Sequence, residues 1–429
     1  MSNDLTSPSS QEELAAGGCS SLLDAAADGI IAPPTITTTA ADKEKEEDAE
    51  VSSPPRCEWE FRLAATVPST ALPGASDAIG SVDFDPTGHL LATGGIARKI
   101  RVYDVASLLA AASESSDSRS AAGPGPAACI CVPAKLSSVR WRPSSSSAPV
   151  VVGCGDYDGV VTEYDVERGV AAWERDEHAG RRVWALDYAP GAAGMAASGS
   201  DDRTAHVWDP RAPSAGWATA RAGAAVLCVE FDPSGGPHLA VGSADRRAAV
   251  YDVRALGRGA VAWMDGHGRA VTYVRWAAPA GRVVTSAADG SHRLWEWGGA
   301  GAAEEVRSYS GHASARSFVG MGVWRRAGLV ASGSECNHVF VYDLRWAKPI
   351  WVHPFVAPDP DTVRQGGAHG PLEASAASGG GGLVFVSAVA WRQSDDQEDL
   401  VDDGGALVAG GSDGVLKVFT CRRRQEPRP

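Results

Sequence analysis

From residue 58 onward the chain is built of short runs in which apolar and polar positions alternate, the period-two signature of half-buried strands. The runs are organised into a recurring unit. An alternating strand is followed by a turn, a strand of small residues containing Gly-Ser or a similar pair, an Asp-containing turn, and a strand that closes on aromatic-Asp. The first copy comprises Ser81–Pro86, Ala92–Gly95 and Ile100–Asp104, and the second Ser138–Pro143, Val152–Asp156 and Val161–Asp165. Five more copies close on Val207–Asp209, Val250–Asp252, Leu294–Glu296, Val341–Asp343 and Lys417–Phe419. The aromatic positions 164, 208, 251, 295 and 342 lie 43 to 47 residues apart, the pitch of a four-stranded blade. That period alone also fits a helical array, but short β-rich segments broken by Gly, Asp and Pro do not. The pattern predicts an all-β, seven-bladed WD-repeat β-propeller over residues 58–421.

A propeller must cover its last edge strand. The final repeat stops after its third strand, at Phe419, and a strand-like run at residues 58–66 precedes the first full repeat. The run is expected to supply the missing outer strand as a clasp.

Outside the repeats the composition changes. Residues 1–57 mix Ser, Ala, Pro and Thr with the charged run Asp42–Glu50, a composition that cannot offset the entropy of ordering, and are expected to be disordered. Residues 106–133 and 353–384 exceed the blade pitch, are rich in Ser, Gly, Pro and Ala, and read as surface loops. The insertion 394–403 inside the last blade reads as solvated, the run Gly379–Gly382 as linker, and 422–429 as a basic tail. The formal charge is −14, and eleven acidic residues against two lysines place −9 of it within the first 50 residues. That balance argues against nucleic acid as a partner. No apolar run approaches the roughly 20 residues of a membrane span, so a soluble, intracellular chain with no membrane partner is expected.

Candidate chemistry is sparse. The eight cysteines are scattered without metal-site spacing; Cys129 and Cys131 fall in an insertion, and Cys154 and Cys228 read as small core residues. Gly266-His267, Ser286, Asp289 and Trp295 form a hydrogen-bonding set. It recurs in part as His178, Ser198, Asp201 and Trp208, and as Gly311-His312 with Tyr342. A His oriented by Asp resembles an acid–base relay, but recurrence in a scaffold element identifies a polar network that fixes the blade. No phosphate-cradling loop, paired-His metal helix or nucleophile elbow is present, so no catalysis, metal or cofactor is expected.

Three units end in aromatic-Asp-x-Arg: Trp208, Asp209 and Arg211; Tyr251, Asp252 and Arg254; Tyr342, Asp343 and Arg345. This looks like the box through which many WD-repeat proteins dock onto the cullin-4 ubiquitin-ligase adaptor.

The segments Ala92–Asp104, Asp156–Thr162, Glu177-His178, Ala240–Asp245, Ala270–Val274 and Phe318–Gly320 resemble the propeller of the plant constitutive-photomorphogenesis ubiquitin ligase. The first 57 residues hold neither zinc-ligand spacing nor heptads. The chain therefore resembles the stand-alone relatives, the WD-repeat repressors of UV-B photomorphogenesis. The resemblance implies a top-face pocket for short peptides built on a Val-Pro pair with acidic flanks. Lys135, Tyr157, Arg182, Trp184, Arg269 and Phe318 stand at its basic and aromatic positions, each beside a strand start or loop. Ala315 replaces a carboxylate of that pocket, while Arg316 and Ser317 keep the loop basic. The implied role is negative feedback on UV-B signalling in the nucleus and cytoplasm. In it the chain would bind the UV-B photoreceptor, displace the ubiquitin ligase and favour photoreceptor re-dimerisation. The constitutive-photomorphogenesis ubiquitin ligase itself, Val-Pro-containing transcription factors and the cullin-4 adaptor are further implied partners, and a cullin-4 substrate receptor is the alternative role.

Overall fold

The computed structural model describes residues 58–71, 75–114, 124–143, 149–190, 194–210, 218–299, 301–316, 318–355, 384–393 and 404–424. The tail 1–57, the insertion 394–403, most of 353–384 with its glycine run, Arg211, Ser317 and residues 425–429 lie outside them.

Seven antiparallel sheets follow one another along the chain. Their innermost strands are Ile79–Phe84, Leu136–Trp141, Val183–Tyr188, Val226–Phe231, Val271–Ala277, Met321–Trp324 and Val386–Trp391, which define blades 1 to 7. Each inner strand packs on the next, and that of blade 7 packs on that of blade 1, so the ring closes around a central axis. Blade 4 carries a fifth, parallel strand at Gly301–Ala302. No helix among the described residues is long and apolar enough to cross a membrane.

Two sequence rules explain the ring. The small residues of the second strands exist because the inner strand of the next blade lies on them. A Cβ on Gly94 would stand 2.5 Å from Val139, one on Gly155 2.6 Å from Val183, and one on Gly199 2.4 Å from Val226. Real Cβ atoms do not approach so closely, and only glycine lets the blades meet. The aromatic position of the inner strands (Phe84, Trp141, Tyr188, Phe231, Trp276, Trp324 and Trp391) is buried in all seven blades. The indoles of Trp141 and Trp276 reach back to the carbonyl oxygens of Asp83 and Glu230, both at 3.0 Å, tying each blade to the one before.

Trp59–Val67 pairs antiparallel with Leu416–Arg423 and supplies the outer strand of blade 7. The third strand of that blade runs four residues past Phe419, the expected stop. Cys421 still points into the core, and Arg422 and Arg423 pair with Glu60 and Glu58, both at 2.9 Å. The start of the expected basic tail is thus part of the sheet.

The expected loop at 106–133 is largely ordered structure. Val105–Glu114 forms helix α1, which starts where the Asp104 carboxylate accepts the Ser107 N–H at 2.7 Å. Val105 and Leu108 bury one face of it, a signal hidden by the Ala/Ser-rich composition. Cys129 and Cys131 lie exposed on the outer strand of blade 1, Ala128–Cys131, rather than in an insertion. Likewise the outer strand of blade 6, Pro349–Pro354, takes His353 and Pro354 from the expected loop 353–384, and Phe355 after it is fully buried. Cys154 and Cys228 are buried.

Candidate peptide-recognition face

The inner strands begin with a shared irregularity. In blades 1 to 5 and 7 the ladder slips past the second residue, a β-bulge at Gly80, Ser137, Trp184, Leu227, Thr272 and Ser387. A bulge re-aims the extra side chain. At Ser137, Thr272 and Ser387 the hydroxyl turns onto strand carbonyls, and those of Ser137 and Ser387 also reach the neighbouring blade at Val183 O and Ile79 O. In blade 3 the position holds an indole instead. Trp184 donates Nε1–H to Asp201 Oδ1 at 2.6 Å, which fixes the ring.

Three of the other expected pocket residues, Tyr157, Arg182 and Phe318, meet it. The Trp184 ring stacks on Phe318 at 4.8 Å and 26°. Tyr157 lies 6.5 Å from Trp184, and the Arg182 guanidinium sits 3.9 Å from the Tyr157 ring and 4.6 Å from that of Trp184. The Arg182 Nε atom is buried and has no hydrogen-bond partner among the described residues. Lys135 is exposed, and its carbonyl accepts the Tyr157 N–H at 3.0 Å. Arg269 is exposed and donates to the Ala315 carbonyl at 3.2 Å. Tyr273, which sequence reasoning did not single out, meets Phe318 edge-on at 6.3 Å. Its signal was positional: in blades 1 to 4 the matching inner-strand residues are the smaller Ser81, Ser138, Ala185 and Cys228.

Trp184 belongs to blade 3 and Phe318 leads into blade 6, which are not neighbours, so their stack crosses the axis. A second crossing runs between blades 6 and 4, where Arg325 reaches Glu230 at 3.0 Å. Between the crossings, Arg140 pairs with Asp83 at 2.9 Å and Asp187 at 3.6 Å, and Arg275 faces Glu230 at 3.9 Å. Burial raises the Asp83 and Asp187 carboxyls above the usual range even against these arginines.

The histidine networks are structural, with two corrections of partner. His267 lies 3.0 Å from Asp289 and 2.7 Å from Thr285 Oγ1, which also accepts the Trp295 indole at 2.8 Å. The hydroxyl is therefore Thr285, because adjacent residues of a strand face opposite ways and Ser286 points elsewhere. In blade 3, His178 lies 2.7 Å from Ser198 and 2.8 Å from Asp202, not Asp201, which is engaged by Trp184. Burial would raise the Asp202 carboxyl, but hydrogen bonds from His178 and Thr204 outweigh it and hold it at about 2. Trp208 is buried, stacked on Trp173, and its indole N–H has no partner among the described residues. His312 lies 3.1 Å from the Tyr342 hydroxyl. With His206, the pair His178 and Asp202 brings three ligand atoms within 4.8 Å. Both His178 nitrogens are already engaged by Ser198 and Asp202, so this is a blade-fixing network.

In the docking boxes, buried Trp208 is a core residue rather than a contact, Asp209 is partly exposed, and Arg211 lies outside the described residues. Arg254 forks onto its own Asp252 at 2.9 and 2.6 Å, and these bonds lower that carboxyl to about 2. Arg345 does the same with buried Asp343, at 2.7 Å, and also reaches Glu58 of the clasp at 3.2 Å.

A closed ring of seven blades built on this repeat defines a β-propeller of the WD-repeat class. Residues 66–104 and 173–209 match the WD domain, G-beta repeat family. The chain is 45% identical to the WD repeat-containing protein RUP1 of Arabidopsis thaliana over 379 residues, 86% of each chain. It is 45% identical to RUP2 of the same plant over 358 residues, 82% of this chain and 89% of that one. The chain belongs to this family, the WD-repeat repressors of UV-B photomorphogenesis. It is also 29% identical to the Arabidopsis thaliana E3 ubiquitin-protein ligase COP1 over 345 residues, 80% of this chain and 45% of the ligase.

Proposed function

We propose that this chain is a negative regulator of UV-B signalling that works by binding proteins rather than by catalysis. Its top-face pocket takes a Val-Pro segment of the UV-B photoreceptor, displaces the ubiquitin ligase that reads the same segment, and returns the photoreceptor to its dimer. The observation that carries this reading is the Arg182 guanidinium lodged against Tyr157 and Trp184 with a buried, unpartnered Nε–H. Aromatic faces accept a proline ring, and Arg and Lys meet flanking carboxylates. Kinship to the propeller of COP1 supports competition for one motif. The same pocket would take Val-Pro segments of transcription factors, in the nucleus and cytoplasm.

The test is titration of a labelled acidic Val-Pro peptide. Trp184→Ala removes an anchor of the kind that contributes about 2 kcal/mol or more, so at least a tenfold loss is expected, and a comparable loss for Lys135→Glu. Unchanged affinity in both variants overturns the pocket.

A second reading, substrate receptor of a cullin-4 ligase, is favoured by one observation. The Asp252–Arg254 fork is presented to solvent, with 70% of the Arg254 side chain exposed. Co-purification with the adaptor, lost on Arg254→Ala, supports it; retention in the variant removes Arg254 from that role.

A further inference from the structure

Along Ala128–Cys131, the outer strand of blade 1, exposure alternates from residue to residue. Ile130 is buried in a core that it shares with Ile100 and Trp141, and it fixes which way the strand faces, so the residues on either side of it point outwards. Those residues are Cys129 and Cys131, both exposed. Cysteine is among the residue types most often buried, and the other described cysteines follow that habit: Cys154, Cys228 and Cys421 are buried and Cys336 is half-buried. Packing gives no reason for two exposed thiols on one face.

The strand is pinned to its neighbour at both ends. Ala127 donates its N–H to the Val102 carbonyl at 2.8 Å and Val132 to that of Arg98 at 3.0 Å, and the ladder sets Cys129 opposite Arg101 and Cys131 opposite Lys99. Directly opposed residues share a face, so the two thiols lie beside two cations. Arg101 is itself anchored by Asp77 at 2.6 Å. Extended geometry then limits what the thiols can do. Side chains two residues apart leave a strand in parallel, about 6.5 Å from one another. A disulfide needs its Cβ atoms about 3.5 to 4.5 Å apart and cannot form here without breaking the ladder. A metal ion held about 2.3 Å from each sulfur asks only for a sulfur separation of about 4.6 Å, which the two side chains reach by leaning towards each other. Among the described residues no third His, Cys, Asp or Glu joins the pair to offer a further ligand atom. Two thiolates alone suit a soft cation with a filled d shell and a low coordination number, which is Cu(I); Zn(II) takes four ligands.

We propose that Cys129 and Cys131 form a surface binding site for Cu(I) on the outer strand of blade 1, separate from the peptide-recognition face. Binding joins both sulfurs to the metal and releases the two thiol protons to solvent, with no change of oxidation state. Two thiolates and one monovalent cation leave a single negative charge, which Lys99 and Arg101 offset from the facing strand.

The full chain, reduced and kept free of oxygen, is titrated against Cu(I) held by a coloured chelator that reports the copper it loses. The wild type is expected to withdraw one equivalent more than the double variant Cys129→Ser with Cys131→Ser, and each single substitution should lose that equivalent as fully as the double. Serine is close to cysteine in shape and the face is exposed, so metal-free melting temperatures should match. Lys99→Glu is expected to weaken the site about threefold at low salt and less at about 0.5 M salt. A double variant that withdraws as much copper as the wild type overturns the site. So does a single variant that keeps the equivalent, since one thiol would then suffice. Uptake of half an equivalent per chain, with the chain eluting as a dimer, overturns the pairing of the two thiols within one strand. Equal retention of Zn(II) overturns the two-ligand assignment.

Discussion

Thr285 shows how much one hydroxyl can hold. Its Oγ1 serves the His267 ring and the Trp295 indole at once, inside a fully buried environment, whereas the Ser286 hydroxyl next to it is equally buried and has no partner among the described residues. Thr285→Val leaves two buried polar groups unsatisfied and is expected to lower stability by about 2 kcal/mol or more in urea titration. Ser286→Ala should change it by less than about 1 kcal/mol, and equal costs for the two would show the network misassigned. The composition of these networks was legible in the sequence, since His, Asp, Ser or Thr and Trp recur at fixed places. Which of two neighbours took part was not. Thr285 or Ser286, and Asp201 or Asp202, differ only in the face they point to, and a bulge or a tight turn decides that without changing residue type.

Among the elements, the clasp carries the most weight for its length. Trp59, Ala65 and Val67 are buried, and Trp59 meets Trp324 at 5.3 Å, so the strand joins blades 6 and 7 as well as covering an edge. Deleting 58–66 removes buried Trp59, partly buried Phe61 packed on the same core, and a ladder, a loss of several kcal/mol at about 1.5 to 3 for a large buried side chain, and should lower the melting temperature far more than deleting 1–50. Equal melting temperatures would refute the clasp's role. The strands were legible because their alternation, inner-strand aromatics and second-strand glycines each answer to a packing need repeated in every blade. Helix α1 occurs once, so no period announced it, and its Ala and Ser residues read equally well as loop. The aromatic cluster at the mouth lies between these cases. The resemblance pointed to Trp184 and Phe318 separately, but their stack joins blades far apart in sequence and is visible only once the ring closes.

At the scale of the whole molecule, acid should loosen the ring through histidines kept neutral. His292 is fully buried and stacked 3.9 Å from His312; burial, reinforced by its histidine neighbours, drives its pKa well down, and burial holds His312 at about 4. The unfolded chain protonates both below about 6.5 while the native state does not, so each costs up to about 1.4 kcal/mol per pH unit as pH falls from 6.5 towards 4. Carboxyls raised by burial, such as Asp83 and Glu163, take up protons in the native state and act in the opposite direction. The comparison is therefore between variants. His292→Phe should lose less melting temperature than wild type between pH 7 and pH 5, and an identical loss would clear His292 of the effect. The two contacts that cross the axis, Trp184 on Phe318 above and Arg325 to Glu230 below, bear on the ligand in another way. They place side chains across the channel beneath the mouth of the ring. A peptide taken there as proposed would not thread it and would arrive and leave by the same face. Free ends would then confer no advantage, and a motif in the middle of a partner would be as readable as one at its terminus.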